Sequence, residues 1–298
     1  MNILLENVDL QSSSGPNSFA NKLVPSLKGL GCEFVQNQED CEVSLCFIQS
    51  YEDIKKPRIQ RLDGIYFNIE QNYQKLNQQI QKTFNNSTAV IYQSDFNKRL
   101  VERYFGSHKC STVIHNGADL EQISKTTPMK NEKYDNIWCC ASSWRPHKRL
   151  KQNIDYYLSH RGPRDIMIVA GHVPVTSRVN DPRVVYFGNL SQNQLYSLYK
   201  ASKYFVHLAW LDHCPNVVVD ARASGCHIVC SSAGGTVEIA GKNSTVIVED
   251  QWNFEPTRLY NPPQLKFHRK IKNNINSCYD INVVAKAYKD FMEKNLQK

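Results

Sequence analysis

The 298-residue sequence contains no long hydrophobic run: nowhere does it reach the roughly 18 consecutive apolar residues that a membrane-spanning helix needs. Its start, MNILLENVDL, lacks the basic segment and apolar run of a secretory signal and is expected to form a first β-strand. Hydrophobic residues make up 41% and charged residues 21% of the chain, a globular composition. These features predict a cytoplasmic globular protein.

The 10 cysteines include no CxxC pair, and the sequence has no HExxH motif. The cysteines are scattered through apolar runs, where cysteine behaves as a small buried hydrophobe. A metal site is the alternative, built on His207, His213, Cys214, Cys226 and Cys230, but their spacing is not that of zinc ligands. We predict reduced cysteines and no bound metal.

The chain is basic, with 36 Lys and Arg, 28 Asp and Glu and a formal net charge of +8. A positive charge favours anionic partners, which include nucleic acid, a membrane surface and phosphate-bearing metabolites. The sequence has no RNP-type, helix-turn-helix or zinc-finger signature, so we expect no nucleic-acid partner. Two basic clusters stand out, at 145–151 and 266–272, but charge alone does not identify the partner.

Short apolar strands alternate with amphipathic helical stretches along most of the chain, which is the pattern of parallel βα units. The alternation pauses at 124–135, a polar stretch of linker composition, and then restarts. Two successive units predict an α/β fold with two Rossmann-like domains facing a central cleft. Strands are predicted at 3–8, 43–49, 89–93, 112–115, 137–141, 166–170, 184–187, 204–208, 227–231 and 245–248, and helices at 69–84, 96–105, 150–158, 194–201, 216–224 and 281–296.

Ligands of such sheets bind outside the carboxyl ends of the strands, at loops that lead into helices. The loop after the first strand has small residues around Gly15, and its backbone N–H groups could receive a phosphate or a sugar oxyanion. An ordinary N-capped helix is the alternative there. After the strand at 137–141 come Arg145, Lys148 and Arg149, cations that suit a diphosphate.

Two carboxylates follow the strand at 204–208, with Asp212 in the loop and Asp220 inside the next helix. An acid in the apolar run Val-Val-Val-Asp-Ala is costly to bury without a hydrogen-bonding partner, and a ribose diol is such a partner. A cap or salt bridge within the helix is the alternative. A further turn of small residues contains Gly234 and Gly235 and suits the close approach of an anion.

Together these segments resemble the GT-B glycosyltransferases, specifically glycosyltransferase family 4 (group 1). The resemblance covers most of the chain and is strongest over 137–239. It includes the sequence at 113–119, Val-Ile-His-Asn-Gly-Ala-Asp, which is similar to the family's hinge-proximal V-I-x-N-G-x-D. The resemblance implies an acceptor-side domain at 1–122, a nucleotide-sugar donor-binding domain at 130–280 and a last helix at 281–298 that packs back on the first domain.

The family's E-x7-E motif matches Asp212 and Asp220, both shortened from glutamate to aspartate. The resemblance implies that Asp220 holds the donor ribose, and that Asp212 lies by the transferred sugar and the diphosphate. Lys148 matches the pyrophosphate-binding lysine. The usual arginine five residues earlier is Ser143 here, and Arg145 substitutes for it from a shifted position. The resemblance places the following residues at the donor: Gly15, Ser143, Gly188, Asn216, Asp220, Gly234, Gly235 and Thr236.

On the acceptor side, Asp63 is expected to face the cleft, with a turn-forming role as the alternative. The catalytic candidates are therefore Lys148, Asp212, Arg145 and Asp63. His207, on a predicted strand, is expected to be a core or rim histidine.

The family implies transfer from a UDP- or GDP-sugar to the hydroxyl of a glycan, lipid or protein. It also implies retention of anomeric configuration, no cofactor and no essential metal, with peripheral membrane contact left open. The alternative is a non-catalytic relative that binds nucleotide sugar. It is motivated by the two Glu-to-Asp changes, the missing arginine and the short first domain.

Overall fold

The apolar runs of the sequence form two parallel β-sheets in the computed structural model of the protein, which describes residues 1–12 and 14–296. The chain divides into two units, each with its own sheet and core. The first unit consists of Met1–Ala118, Asn253–Thr257 and Cys278–Lys298, and the second of Asp119–Trp252 and Arg258–Ser277. Each unit is a Rossmann-like sheet with helices packed on it, so the predicted α/β fold class is confirmed.

The first unit has a six-stranded, fully parallel sheet in the order β2-β1-β3-β4-β5-β6. A helix or a long loop separates successive strands, as parallel pairing requires. Its strands are Asn2–Glu6 (β1), Glu33–Val35 (β2), Val43–Phe47 (β3), Arg58–Leu62 (β4), Ala89–Tyr92 (β5) and Ser111–Val113 (β6), and its helices are Gly15–Gly29 (α1), Tyr73–Asn86 (α2), Asp95–Phe105 (α3) and Ile281–Leu296 (α9).

The core of the first unit lies where α1 and α9 cover one face of this sheet. Residues four apart share one side of a helix, so each helix presents an apolar stripe. The phenyl ring of Phe19 in α1 lies 5.9 Å from the ring of Tyr288 in α9. The last helix is therefore part of the core of the first unit. Its fully or nearly buried apolar side chains are Ile281, Val284, Ala285, Tyr288 and Met292.

Gly117 lies against the start of α9. A Cβ at this position would lie 2.8 Å from the Cα of Ile281, so only glycine allows the approach. Two backbone bonds close the same contact: the Ala118 N–H donates to Tyr279 (2.7 Å) and the Ile281 N–H donates to Ala118 (3.0 Å). Gly117, in the Asn-Gly motif, thus allows the final helix to pack closely against this loop.

The second unit has a seven-stranded sheet in the order β13-β12-β11-β10-β7-β8-β9, parallel except for β13. The indole of Trp138 is central to its core, stacking at 4.0 Å on Tyr204 and donating to the Asp165 carboxylate (2.8 Å). Its strands are Ile137–Ala141 (β7), Ile166–Ala170 (β8), Val184–Gly188 (β9), Tyr204–His207 (β10), His227–Ser231 (β11), Thr245–Ile247 (β12) and Lys270–Lys272 (β13). Its helices are Leu120–Lys125 (α4), Leu150–His160 (α5), Gln192–Ala201 (α6), Asn216–Ala223 (α7) and Thr236–Ile239 (α8), with 3-10 turns at Pro146–Lys148 and Val175–Ser177.

The predicted strands at 137–141, 166–170 and 227–231 and the last helix have the predicted bounds. Strands β2 and β13 and helix α4 were not predicted. Strand β13 reads Lys-Ile-Lys with all three residues exposed at a sheet edge, so it has no apolar run to detect. Strand β4 is polar in sequence yet fully buried, because its side chains bond to distant groups, as Arg58 does to Glu6 (2.8 Å).

All 10 cysteines lie within the described residues, and none forms a disulfide. Eight of them are buried, as expected of cysteines in core strands. Among the helices that the structure describes, none is long and apolar enough to cross a bilayer.

Candidate functional site

Three loops meet at the carboxyl ends of β7, β10 and β11, which are neighbours in the second sheet. They span 142–149, 208–215 and 232–235. Because the carboxyl ends of parallel strands lie at one edge of a sheet, residues far apart in sequence come together there.

The carboxylate of Asp212 is the centre of this site. Its Oδ2 accepts from the ammonium of Lys148 (2.6 Å) and from the Nε2–H of His207 (2.8 Å). Its Oδ1 accepts from the backbone N–H of His213 (3.1 Å). The side chains of Lys148 and Asp212 are only 18% and 13% exposed, so their interaction is weakly screened.

Burial alone would raise the pKa of Asp212, but the Lys148 cation and the His207 hydrogen bond outweigh it and hold that pKa well below its usual range. Burial lowers the pKa of His207, although Asp212 partly offsets the shift. The site therefore holds an ionised carboxylate between a lysine and a neutral histidine. Sequence reasoning treated His207 as a core or rim residue and did not find this role; its place at the end of a strand was the available signal.

The loop that carries Lys148 is fixed by Asn153 in α5. The Asn153 amide donates to the carbonyls of Lys148 (2.9 Å) and Arg149 (2.7 Å) and accepts from the backbone N–H of Leu208 (3.0 Å). Arg149 links the 3-10 turn to α5 in a left-handed conformation, at φ 54°. This connection ties the Lys148 loop to the end of β10.

Arg149 itself makes a buried, two-bond ion pair with Glu249 (2.8 and 2.6 Å). Its guanidinium also donates to the carbonyl of Pro263 (2.7 Å), and the hydroxyl of Ser231 donates to Glu249. The pair joins the loop after β7 to the segment after β12 and so fixes the position of the loop that carries Lys148. Glu249 was missed in the sequence, although an acid directly after a predicted strand was a usable signal.

The turn at Gly234 and Gly235 contacts the backbone of Asp212. The Gly235 N–H donates to the Asp212 carbonyl (2.7 Å). A Cβ on Gly234 would lie 2.5 Å from that carbonyl oxygen, and Gly234 has φ +102°. Both features require glycine and fix the position of Asp212. Thr236 follows, completely buried, and its hydroxyl has no hydrogen-bond partner within the described residues.

Asp220 lies in the middle of α7 and is 3% exposed. Its Oδ2 accepts from the side-chain amide of Gln192, the first residue of α6 (3.2 Å). Asn216 begins α7, directly after Pro215. Gln192 was not identified from the sequence, where no local pattern connects it to Asp220.

The remaining donor candidates are more dispersed. Arg145 and Ser143 are exposed in the loop after β7, and Arg145 forms no ion pair within the described part of the chain. Gly188 ends β9, two strands away from β7, and its carbonyl accepts from the Gly171 N–H (2.7 Å). The structure therefore brings Lys148, Asp212 and the two glycines together and places Gly188 elsewhere on the sheet.

Asp63 lies in the first unit and forms an ion pair with Arg61, which is completely buried. Arg61 also donates to Asn116 (2.7 Å) and to the Tyr288 hydroxyl (3.0 Å). Burial raises the pKa of Asp63 despite the opposing effect of Arg61. Asp63 thus holds a structural cation at the carboxyl end of β4.

Gly15 is the first residue of α1, and the preceding loop includes Ser13, which lies outside the described residues. Within 1–12 and 14–296, no three His, Cys, Asp or Glu side chains are placed to hold a metal ion. The residues considered above as a metal site therefore form no such group: His207, His213, Cys214, Cys226 and Cys230.

The two Rossmann-like units have the GT-B fold, which is also the fold of the glycosyltransferase structures that align with this chain. Residues 130–255 match the family described as glycosyl transferases group 1. These findings confirm the predicted GT-B fold and the predicted similarity of 130–255 to group 1 glycosyl transferases.

Solved structures of this fold align along nearly the whole chain. HepE from Anabaena in complex with UDP and glucose is 14% identical with a TM-score of 0.67, over 99% of this chain and 100% of that one. Sucrose-phosphate synthase from Thermosynechococcus elongatus is 12% identical with a TM-score of 0.65, over 99% and 90%. WaaG, a glycosyltransferase of lipopolysaccharide biosynthesis, is 10% identical with a TM-score of 0.63, over 100% and 91%. No curated protein sequence shows significant similarity to the chain.

Proposed function

We propose that this protein transfers a sugar from a UDP-sugar to an acceptor hydroxyl, with the nucleotide bound by the second unit. The observation that carries the proposal is the Lys148–Asp212–His207 network beside the Gly234–Gly235 turn. The match of 130–255 to group 1 glycosyl transferases supports sugar transfer. The choice of uridine is supported by the complexes of HepE with UDP and with UDP-glucose.

In the proposed reaction, Lys148 exchanges its bond to Asp212 for one to the donor diphosphate and stabilises the charge on the leaving group. Asp212 remains ionised after this exchange, since His207 and the His213 N–H still donate to it. Its carboxylate then accepts from a hydroxyl of the transferred sugar. The exposed guanidinium of Arg145 is a second cation for the diphosphate.

We propose transfer with retention and without an essential metal. The acceptor oxygen forms a bond to the anomeric carbon as the bond from that carbon to the phosphate oxygen breaks. The acceptor's proton passes to the departing phosphate oxygen. The protein's contribution is to position the reactants and stabilise charge, so no side chain is needed as a nucleophile.

Asp220 is proposed to bind the ribose of the donor. Its carboxylate is already oriented by Gln192, and an ionised carboxylate accepts hydrogen bonds from a diol.

The first test is a thermal-shift titration with UDP, GDP and ADP, followed by turnover with the matching nucleotide sugars. A ligand at 100 times its Kd stabilises the folded protein by about 2.7 kcal/mol, a shift that is easily measured. UDP should raise Tm, and a UDP-sugar should be consumed. The absence of any shift at millimolar nucleotide would disprove the donor site. The anomeric configuration is read by NMR, and metal dependence by activity in EDTA.

The alternative is a protein that binds nucleotide sugar without turnover. It is favoured by one observation: Lys148 and Asp212, the two central groups, are bonded to each other. Under this alternative UDP raises Tm, yet the sugar is transferred neither to an acceptor nor to water.

A further inference from the structure

The sheet of the second unit ends in β9 on one side and in β13 on the other. Strand β13 reads Lys-Ile-Lys, and all three of its residues are exposed. Charged side chains on an edge strand, lysine above all, hinder its pairing with another chain. Strand β13 therefore has the protection that natural sheets give to an open edge.

Strand β9 lacks this protection. It reads Val-Val-Tyr-Phe-Gly, and the stretch 184–190 contains no charged side chain. Within 1–12 and 14–296, no strand pairs with the outer side of β9. The ring of Phe187 on this strand is 43% exposed. An uncharged edge strand with an exposed aromatic side chain is suited to the addition of another strand.

The register of β9 on β8 shows which backbone groups face outward. Met167 lies opposite Val184, and its N–H donates to the Arg183 carbonyl (2.8 Å). In a parallel pair such a residue bonds to the two neighbours of its partner, so Arg183 and Val185 point their backbone groups toward β8. Tyr186, one residue further along, therefore points its N–H and C=O away from the sheet, toward the position of an added strand.

A cavity of about 250 Å³ lies on the face of the sheet beside this edge. Successive side chains of a strand point to opposite faces, so Val185 and Phe187 lie on the cavity side while Val184 and Tyr186 pack into the core. The segment 129–134 forms the other wall. The strand residues in the lining are all apolar: Ile137, Ile166, Ile168, Val185 and Phe187.

We infer that β9 pairs antiparallel with β9 of a second copy of this chain, about a two-fold axis at Tyr186. In that register Tyr186 lies opposite its own counterpart, and the two residues exchange N–H···O bonds through the groups that point outward. Val185 lies opposite Phe187 of the second copy on the cavity side. A β-branched side chain against an aromatic ring is a favourable cross-strand pair. The two sheets become one continuous sheet.

The charge of the chain favours this edge for a contact between copies. Each copy has a net charge of +8, so two copies repel one another in most orientations. The uncharged stretch 184–190 lets them approach with the least repulsion, whereas pairing at β13 would bring the lysines of both copies together. An extended peptide of another protein is the competing occupant. Only a second copy supplies the symmetric pairs of Val185 with Phe187.

The test is the molar mass in solution, measured by light scattering after size exclusion at about 1 and about 100 μM protein. A dimer is expected at the higher concentration. Phe187→Lys places a charge on the β9 edge and should raise the Kd of the dimer at least about tenfold. The matched control is Ile271→Lys on the β13 edge, which should leave that Kd unchanged. The two replaced side chains are 43% and 57% exposed, so neither change disturbs a core.

Hydrogen exchange of the unaltered protein tests the register. The Tyr186 amide should exchange at least about tenfold more slowly at about 100 μM than at about 1 μM, while the amides of β13 exchange at the same rate at both. A monomer at both concentrations would overturn the inference and leave the edge to a peptide of another protein. A dimer that Phe187→Lys and Ile271→Lys weaken equally, or one in which the Tyr186 amide gains no protection, would also overturn it.

Discussion

At the scale of single residues, Asp212 is the centre of the proposed donor site, because two side chains and a backbone N–H donate to it. We expect Lys148→Met to lower kcat/KM at least tenfold, about 1.4 kcal/mol or more of lost transition-state stabilisation, because the leaving diphosphate loses its cation. The free energy of unfolding should fall by only about 2 kcal/mol, since His207 still bonds to Asp212. Steady-state kinetics and thermal unfolding check both values. Lys151→Met removes an exposed lysine three residues away and is the control; equal kinetics in both variants would show that the diphosphate is held elsewhere.

The role proposed for Asp220 can be tested separately from that proposed for Asp212. Asp220→Asn keeps the size of the side chain and an oxygen for the Gln192 amide but removes the charge. We expect the affinity for UDP to fall by about 1.5–3 kcal/mol, measured by calorimetric titration of the folded variant. Asp155→Asn, on an exposed face of α5, is the control. Unchanged UDP affinity together with lower stability would mean that Asp220 only supports its helix.

Two histidines beside the site make stability depend on pH. Burial, assisted by Lys148, lowers the pKa of His147 to about 3, and burial lowers the pKa of His213 to about 4. The unfolded chain binds protons at these rings near pH 6.5, so between about pH 6.5 and 4 it holds more protons than the folded chain. The free energy of unfolding should therefore fall on acidification from pH 7 to 5, by about 1–2 kcal/mol for each histidine.

His147→Phe tests this sign directly. The ring of His147 stacks on Tyr260 at 5.6 Å, and phenylalanine keeps that contact without a titrating nitrogen. The difference in Tm between pH 7 and pH 5 should become smaller in this variant, and the exposed His268→Phe serves as the control. An identical pH dependence in wild type and His147→Phe would contradict the expectation.

At the scale of elements, the glycine turn after β11 decides where the loop after β10 lies. Gly234 and Gly225 have nearly the same φ, +102° and +98°, but a Cβ on Gly225 meets nothing within 4 Å. Alanine at either position should cost about 1–2 kcal/mol of stability from the left-handed backbone. Only Gly234→Ala should also reduce kcat/KM, by tenfold or more, because its Cβ displaces the Asp212 backbone. Similar losses of activity in both variants would exclude a positioning role for the turn.

At the scale of the whole molecule, the last helix completes the core of the first unit. Deletion of 281–298 removes five buried apolar side chains, worth roughly 10 kcal/mol at about 1.5–3 kcal/mol for each large one, which is comparable to the total stability of a domain. We expect the first unit to unfold. Hydrogen exchange should show lost protection in β1 and β3, while the amides of β7 and β10 serve as the internal reference. Retained protection in β1 and β3 would contradict this assignment.

The sequence by itself determined the two α/β units and most of their elements. Apolar strands and amphipathic helices are local patterns with fixed periods, so the strands at 137–141, 166–170 and 227–231 and the helix at 281–296 were predicted with their bounds. The order of the loops along the chain also identified Lys148, Asp212 and the glycine turn as members of one site.

Only the tertiary structure decided which groups bond to one another. Arg149 and Glu249 are 100 residues apart, and Lys148 and Asp212 are 64 apart. Nothing in the local sequence of one partner specifies the other, because a hydrogen bond depends on position in space and not on spacing along the chain. The same reason applies to His207, whose apolar strand predicted burial but not its bond to Asp212, and to Gly117, which meets the start of a helix more than 160 residues later.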